Sequence, residues 1–414
     1  MRNRLRLAFP LLAFPALACR RRERAKEAAG RLVWRNQPMW SNPKPFYDFV
    51  DRFEAESGLE VRMENVPSES DVAHQFFLTA LEGGDTSFDL LLVDVVWAPE
   101  LAKGGWIADL SEWFPPERIR AEFLPGPAEA VVWEGRTYAV PWFADVGILY
   151  RRTDLVPEAP RTYDELRRSA LAHPALAGYV WQGKQYEGLV CNAFEVIWGH
   201  GGRTMDESGR VLLDTPEARE ALAWMRALIV DGISPRSVAS SAEEESRRVF
   251  HSGRAVFHRN WPYAWSRANA PDSPIRGRAG HSPLPTVTGE PGWGCLGGWQ
   301  LAVNANVPAA RRAAAAKFIA HLTSDEGTFL LAEKFTQLPP RKAVYEDPRL
   351  AREAPFVASM KDAIERARPR PVTPYYNLIA DSLQSELSAA ITGIRTPAEA
   401  LRRAQQQVDR IIGA

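Results

Sequence analysis

Residues 88–94, FDLLLVD, form a short and almost wholly apolar run that stops at Asp94. Such a run is typical of a strand that is buried on both faces of a parallel sheet. In open parallel sheets ligands lie beyond the carboxyl ends of the strands, so Asp94 is a candidate hydrogen-bond acceptor in a binding site. The alternative is that Asp94 caps the turn or helix that follows it.

The segment before this run predicts the rest of a sheet. A short apolar run starts at residue 31, and apolar residues recur at helical spacing over 46–53. Alternating apolar residues over 59–63 predict a second strand, and the pattern over 76–81 predicts a second helix. The order strand, helix, strand, helix predicts an α/β fold with a parallel sheet.

Length and charge limit the possible classes of protein. A chain of 414 residues is too long for one ordinary core and predicts two domains. The 51 basic and 51 acidic residues balance, so the chain lacks the strong positive field that nucleic-acid binding requires. We therefore expect no nucleic-acid partner.

The amino terminus has the pattern of an export signal. Residues 1–18 combine a basic start with an apolar stretch that is too short to span a bilayer. The small residues before Cys19 resemble a bacterial lipoprotein box, which predicts a signal peptide over 1–18 and a lipid anchor on Cys19. The alternative is an ordinary signal peptide cleaved after Ala18. Residues 19–30 are charged and predict a flexible tether, and either cleavage places the mature protein outside the cytoplasm.

Several motifs that could indicate a chemical function are rejected as functional sites. Cys191 and Cys295 are far apart in sequence, fit neither a disulfide framework nor a zinc site, and are expected to be buried. GWGCLG over 292–297 spells a dinucleotide fingerprint, but a strand pattern follows it instead of the required helix. The acidic run at 243–245 is interpreted as a solvated helix face. No metal and no cofactor are predicted.

Aromatic residues stand beside carboxylates at several places. Trp97 follows Asp94, Phe143 precedes Asp145, and RNWPYAW fills 259–265. Flat rings next to carboxylates suit a sugar, because a pyranose offers an apolar C–H face and a fringe of hydroxyls. The alternative is that the tryptophans belong to the core. Trp299 follows two glycines, in the close-approach backbone where sites tend to occur.

Five longer stretches complete these motifs: GYVWQGKQYEGLVCNAFEVIWGHGG at 178–202, FHRNWPYAW at 257–265, APDSPIRGRAGHSPLPTVTG at 270–289, LGGWQLAV at 296–303 and RPRPVTPYY at 368–376. Together they resemble a known family. The chain looks like the trehalose/maltose-binding branch of the family 1 extracellular solute-binding proteins, the capture subunits of ABC sugar importers. The resemblance runs from about residue 31 to the carboxyl terminus.

The resemblance implies a two-lobed fold. Each lobe is expected to contain a mainly parallel sheet flanked by helices, with the ligand cleft between the lobes and hinge closure around the ligand. The expected first lobe covers 31–139 plus 304–355, and the second covers 140–303 plus 356–414. Chain crossings are expected near 139–142, 298–304 and 350–360. A monomer that docks on membrane permease subunits is implied.

The resemblance also implies site residues. Asp94 and Asp145 would accept hydrogen bonds from sugar hydroxyls, and Arg370 would donate to ring or glycosidic oxygens. The rings that would stack on the sugar are Trp261, Tyr263 and Trp299, with Trp97 and Phe143 beside them, the Gly298 backbone close to the ligand and Trp265 in the core. Phe143 stands where relatives tend to have tyrosine.

The first lobe departs from the family pattern. Relatives that hold trehalose or maltose are expected to carry an acidic residue after the first strand and an arginine near residue 74. This chain has Asn42, Lys44, Ala73 and His74 there. We keep an α-linked disaccharide as the expected ligand, with trehalose and maltose as two members of that class.

Two other functions use the same residues. A secreted glycoside hydrolase would use Asp94 and Asp145 as an acid and base, which requires a defined separation of the carboxyl groups. A sensory receptor domain would present the closed form to a membrane kinase. The resemblance favours a binding protein over an enzyme.

Overall fold

The computed structural model describes residues 30–37, 40, 42–207 and 209–413. The predicted signal peptide, nearly all of the predicted tether and Cys19 lie outside the described residues. No helix within the described ranges is both long and apolar enough to cross a membrane.

The strands of the described chain form two main sheets and one small hairpin. The strands are β1 Arg31–Asn36, β2 Glu60–Asn65, β3 Leu90–Asp94, β4 Val132–Trp133, β5 Arg136–Thr137, β6 Ala139–Val146, β7 Ile148–Arg152, β8 Ala177–Val180, β9 Ala255–Asn260, β10 Ala279–Ser282 and β11 Leu296–Val303.

The first sheet has the order β2-β1-β3-β11-β6. Strand β1 pairs in parallel with both β2 and β3, as the alternation of strands and helices predicts. All five residues of β3 are buried, which confirms that the apolar run is a strand covered on both faces. Strand β11 runs antiparallel between β3 and β6.

The second sheet has the order β10-β7-β9-β8. Strands β8 and β9 are parallel, whereas β7 runs antiparallel to β9 on one side and to β10 on the other. Three of its four strands therefore point in one direction. The expected two-lobed α/β architecture is confirmed, with one reversed strand in each main sheet.

The helices cover the faces of both sheets. They are α1 Lys44–Ser57, α2 Ser70–Glu82, α3 Ala98–Lys103, α4 Pro116–Glu122, α5 Pro125–Glu129, α6 Tyr163–Leu171, α7 Glu187–Gly199, α8 Pro216–Val230, a 3-10 turn Arg236–Ser240, α9 Glu243–His251, α10 Ala264–Ala268, α11 Ala309–Leu322, α12 Asp325–Phe335, α13 Lys342–Glu346, α14 Pro348–Glu353, α15 Pro355–Ser359, α16 Lys361–Glu365, α17 Tyr376–Ile391 and α18 Pro397–Gly413.

Helix α1 shows why the apolar spacing predicts its packing. Its buried residues, Phe46, Phe49, Val50 and Phe53, recur at intervals of three and four and so form one stripe that faces the core. The helix ends at Gly58, whose φ of 69° is the left-handed conformation that glycine adopts at low cost.

The chain passes between the sheets at three adjacent segments. The Gly147 N–H, between β6 and β7, donates to the Cys295 carbonyl, and Cys295 bridges Arg368 in parallel. The Leu296 N–H donates to the Arg368 carbonyl at 2.8 Å. A side chain at position 147 would collide with Glu195, so the crossing at Gly147 requires glycine.

These crossings correct the expected lobe boundaries. The sequence assigns 140–303 to the second lobe, but β6 and β11 pair inside the first sheet over their whole lengths. Helix α16 packs on β6, so the third passage lies at Arg368 and not within 350–360. The crossings were misplaced because the apolar pattern of a strand does not show which sheet the strand joins.

Candidate functional site

A cleft of about 550 Å³ lies between the two sheets, within the size range of small-molecule sites. From the first lobe it is lined by residues at the ends of strands, namely Gln37 after β1, Asp94 on β3 and Asp145 on β6. From the second lobe it is lined by the first residues of α7 and α9 and by the turn after β9. The predicted location at the carboxyl ends of the strands holds for β3 and β6.

Eight of the predicted site residues line this cleft. They are Asp94, Phe143, Asp145, Trp261, Tyr263, Gly298, Trp299 and Arg370. Trp97, Asn42 and His74 do not line it.

Trp261, Tyr263 and Trp299 line one side of the cleft and form what we call the aromatic wall. Residues behind this wall fix the positions of two of its rings. The guanidinium of Arg259 lies 4.0 Å from the centroid of the Trp261 ring, and the Trp261 indole N–H donates to Glu243 at 3.3 Å. The Tyr263 hydroxyl donates to Glu244 at 3.0 Å. All three aromatic residues that were expected to stack, including Trp299, are only partly buried.

The acidic run at 243–245 is therefore more than the solvated helix face that the sequence suggests. Glu243, Glu244 and Glu245 begin α9 and line the cleft. Two of them accept hydrogen bonds from the aromatic wall, as described above. The charge pattern does not predict this role, because the hydrogen bonds between α9 and the turn after β9 form only in the folded chain.

Arg370 joins two carboxylates at the base of the cleft. Its guanidinium donates to Asp94 Oδ1 at 3.2 Å and to Glu187 Oε1 at 2.6 Å, and the side chain is 2% exposed. Asp94 Oδ2 accepts a further bond from the Ser70 hydroxyl at 3.0 Å. Glu187 was not predicted as a site residue, although it lies inside the QYEGLVC string.

Burial governs the protonation of Glu187. It raises the pKa of this carboxyl to about 7, against the opposing charge of Arg370 and the hydrogen bond from Tyr376. Tyr376 donates to the same Oε1 atom at 2.5 Å.

Asp145 lies across β11 from Asp94. Strand β11 pairs Trp299 with Asp94 and Gly297 with Asp145, so the two carboxyl groups flank one strand. Burial and then the charge of Asp94 raise the pKa of Asp145 from 3.8 to about 8. Its Oδ1 atom is buried and has no hydrogen-bond partner among the described residues.

The family follows from comparison with known proteins. The family described as bacterial extracellular solute-binding protein matches residues 40–329, which is more than half of the chain. The chain belongs to this family. The match confirms the coarse form of the resemblance, an ABC-transporter solute-binding protein that acts outside the cytoplasm.

Individual relatives agree with the family. A probable ABC transporter-binding protein of Deinococcus radiodurans is 34% identical over 381 residues, which cover 88% of this chain and 89% of the relative. Maltose-bound MalE3 of T. maritima is 36% identical, with a TM-score of 0.85 over 92% of this chain and 99% of that one. The acarbose-binding GacH receptor of Streptomyces glaucescens, at 23% identity and a TM-score of 0.82, shows the fold alone; 93% of this chain and 99% of that chain are covered.

Three residues expected to contact the ligand lie elsewhere in this solute-binding protein. Trp97 is 1% exposed and meets the Trp299 ring edge-on at 5.6 Å, so it supports the wall from behind. His74 lies 2.8 Å from Glu100 and 3.0 Å from Asn377 on α17, so it joins helices of the two lobes. Asn42 is exposed, outside the cleft. Packing around α3 and α17, which sequence does not show, accounts for the first two.

Replacing Asp145 with asparagine is expected to stabilise this solute-binding protein at high pH. A carboxyl whose pKa is raised on folding gives its full stability below its ordinary pKa, near pH 4, and loses it as the pH rises through about 8. Asparagine removes that loss. The melting temperature should rise by about 2–5 °C at pH 8 and stay nearly unchanged at pH 4. Equal shifts at both pH values would contradict this account.

Replacing Gly298 with alanine is expected to lower the free energy of unfolding by about 2–4 kcal/mol. Gly298 has a φ of 125°, and an added Cβ would lie 2.5 Å from the Phe143 carbonyl oxygen. Gly58 is the matched control, because its φ is also positive and no atom lies within 4 Å of its Cβ position. Gly58→Ala should lower the free energy of unfolding, measured in urea, by about 1 kcal/mol. Equal losses at the two positions would show that close packing against Phe143 does not add to the cost at Gly298.

Proposed function

We propose that this solute-binding protein captures an α-linked disaccharide, such as maltose or trehalose, for an ABC importer. The observation that carries the proposal is a cleft that combines partly exposed rings with carboxylates. Trp261, Tyr263 and Trp299 form the aromatic wall, and Asp145 and Arg370 lie at its base. Maltose in the 36% identical MalE3 supports the ligand class.

The chemistry of the cleft suits sugar rings and their hydroxyls. Rings that are pinned by hydrogen bonds offer flat apolar surface at little further entropic cost. The unpartnered oxygen of Asp145 would form a hydrogen bond with a sugar hydroxyl, and in its neutral form the carboxyl group can also donate. Arg370 would point donors at ring or glycosidic oxygens while its two carboxylates hold it in place.

The first lobe is where the preferred sugar would be decided. His74 is engaged by Glu100 and Asn377, and Asn42 lies at the surface. The polar residues that line the first-lobe side are Gln37, Ser68, Glu69, Ser70, Asp94, Asp145 and Gln337. A sugar that pairs with these groups would bind best, because each unpaired buried group costs about 1–3 kcal/mol.

Transport would use closure of the lobes around the sugar. Lys184 of the second lobe and Glu69 of the first form an ion pair at 2.7 Å, so contacts between lobes exist at the rim of the cleft. Ligand binding would shift the population towards the closed form. That form would dock on permease subunits as a monomer, with Cys19 as the lipid anchor.

Hydrolysis is the competing activity, and it would use Asp94 and Asp145 as its two carboxyl groups. Both oxygens of Asp94 are already engaged, because Oδ1 accepts from Arg370 and Oδ2 accepts from the Ser70 hydroxyl. A carboxyl group that acts on the glycosidic bond must reach the substrate itself, so these contacts disfavour Asp94 in that role. A receptor for a membrane kinase would use the same cleft, and capture of permease subunits would separate it from transport.

Calorimetric titration with maltose, trehalose, sucrose and glucose tests the proposal, with an assay for released monosaccharide after each titration. We expect one disaccharide to bind with micromolar or tighter affinity and no monosaccharide to appear. Release of glucose would show that the protein is a glycoside hydrolase and not a binding protein. No heat with any of the four sugars would refute the disaccharide class and leave the family assignment intact.

A further inference from the structure

Two cysteines that are distant in sequence lie side by side in the structure. Cys191 is on α7 and lines the cleft, and Cys295 stands at the chain crossing before β11. Both are buried, at 2% and 0% exposed, and the structure has no bond between their sulfur atoms. Their predicted burial is confirmed, but their proximity is not visible in the sequence.

Two glutamates on α7, one turn to each side of Cys191, hold the segment that contains Cys295 against this helix. Glu187, one turn before Cys191, binds Arg370, and Arg370 also donates to the Leu296 carbonyl at 3.3 Å. Glu195, one turn after Cys191, accepts a hydrogen bond from the Cys295 N–H at 2.9 Å. Residues four apart share one face of a helix, so the 295–296 segment is held on both sides of Cys191.

The two thiols donate to acceptors that Arg370 joins: Cys191 to Glu187 Oε1 at 3.9 Å and Cys295 to the Leu296 carbonyl oxygen at 3.8 Å. A hydrogen bond with Cys295, followed by burial, raises the pKa of the Cys191 thiol well above its ordinary value. The folded protein therefore disfavours the reactive thiolate. Oxidation of the pair would therefore need to take place while the thiols are still exposed, during folding.

The chain has three cysteines, and Cys19 is the predicted lipid attachment point. Cys191 and Cys295 are then the two thiols left in a mature protein of an extracytoplasmic family, where disulfides form and persist. We propose that Cys191 and Cys295 form a disulfide bond that ties α7, at the wall of the cleft, to the chain crossing before β11.

The reaction needs a disulfide oxidant, such as a protein disulfide or oxidised glutathione. One cysteine thiolate displaces a sulfur of the oxidant to give a mixed disulfide, and the second thiolate then displaces the oxidant. The two cysteines lose two electrons and two protons in total, and the oxidant leaves as two thiols. One S–S bond is broken and one is formed.

The proposed bond closes a long loop, so it should stabilise the folded chain by restricting the unfolded one. Reduction should lower the melting temperature by about 5–10 °C. Cys295→Ala is the matched control, because it removes the bond but keeps Cys191, and its melting temperature should not respond to the reductant.

The decisive test is peptide mapping of the full chain after export into a bacterial periplasm. The protein is unfolded in denaturant with iodoacetamide, digested without reductant and examined by mass spectrometry. We expect one cross-linked pair of peptides that contain Cys191 and Cys295. Alkylation of both residues, or a cross-link from either one to Cys19, would overturn the proposal. The result does not depend on which sugar binds.

Discussion

Replacing Arg259 with methionine is expected to lower the free energy of unfolding by about 3–5 kcal/mol. Arg259 and Glu195 are 1% and 3% exposed and form a two-point contact at 2.5 and 2.8 Å. The guanidinium also donates to the side-chain oxygen of Gln182 at 3.1 Å. Methionine would leave the Glu195 carboxylate buried without its counter-charge, which is the costly way to break such a pair.

A double-mutant cycle in urea measures this coupling. Glu195→Gln in the Arg259→Met background should recover part of the lost stability, because the buried charge is then gone. Lys44→Met is the surface control: its pair with Asp48 is 75% and 55% exposed, and its loss should cost under about 0.5 kcal/mol. If Arg259→Met lowers the free energy of unfolding as little as Lys44→Met does, the buried pair of Arg259 and Glu195 does not contribute to stability.

Under the proposed disaccharide function, replacing Trp261 with alanine is expected to weaken the binding of maltose by about 100-fold, with the fold intact. Large rings at the centre of a site contribute about 2–4 kcal/mol when truncated. The Trp261 ring lines the cleft, and its position is fixed by Arg259 behind it and by the hydrogen bond to Glu243. Calorimetric titration with maltose, together with a melting curve, measures both properties.

Trp265 provides the matched control for this experiment. It stacks on Phe356 at 4.7 Å with an interplanar angle of 4° and does not line the cleft, so its predicted place in the core is consistent with its contacts. Trp265→Ala should lower the melting temperature and leave the affinity for maltose within about threefold of the native value. If both variants lose affinity equally, the aromatic wall is not the binding surface.

The sequence predicts those features that depend on local burial. The run ending at Asp94 is a fully buried strand, and the apolar stripe at 46–53 is the core face of α1. Strand ends at the sheet edge place Asp94 and Asp145 at the cleft. These predictions succeed because side-chain periodicity and the handedness of strand–helix–strand units follow from the chain itself.

Features that depend on the meeting of distant elements are not predicted. The acidic residues of α9 look solvated in sequence because their partners are Trp261 and Tyr263, which belong to a different element. His74 pairs with Asn377 of the other lobe, and Cys191 meets Cys295 across the cleft wall. The spacing of apolar residues along the chain does not predict contacts between distant elements, so only the folded structure reveals them.

The three chain crossings have a mechanical consequence. Because the segments at Gly147, Cys295 and Arg368 are hydrogen-bonded side by side, they form a narrow ribbon. We expect such a ribbon to bend readily across its width and to resist twisting and sliding. The lobes would then move along one coordinate, so the binding energy of the sugar is concentrated in closing the cleft, and every occupied molecule presents the same outer shape.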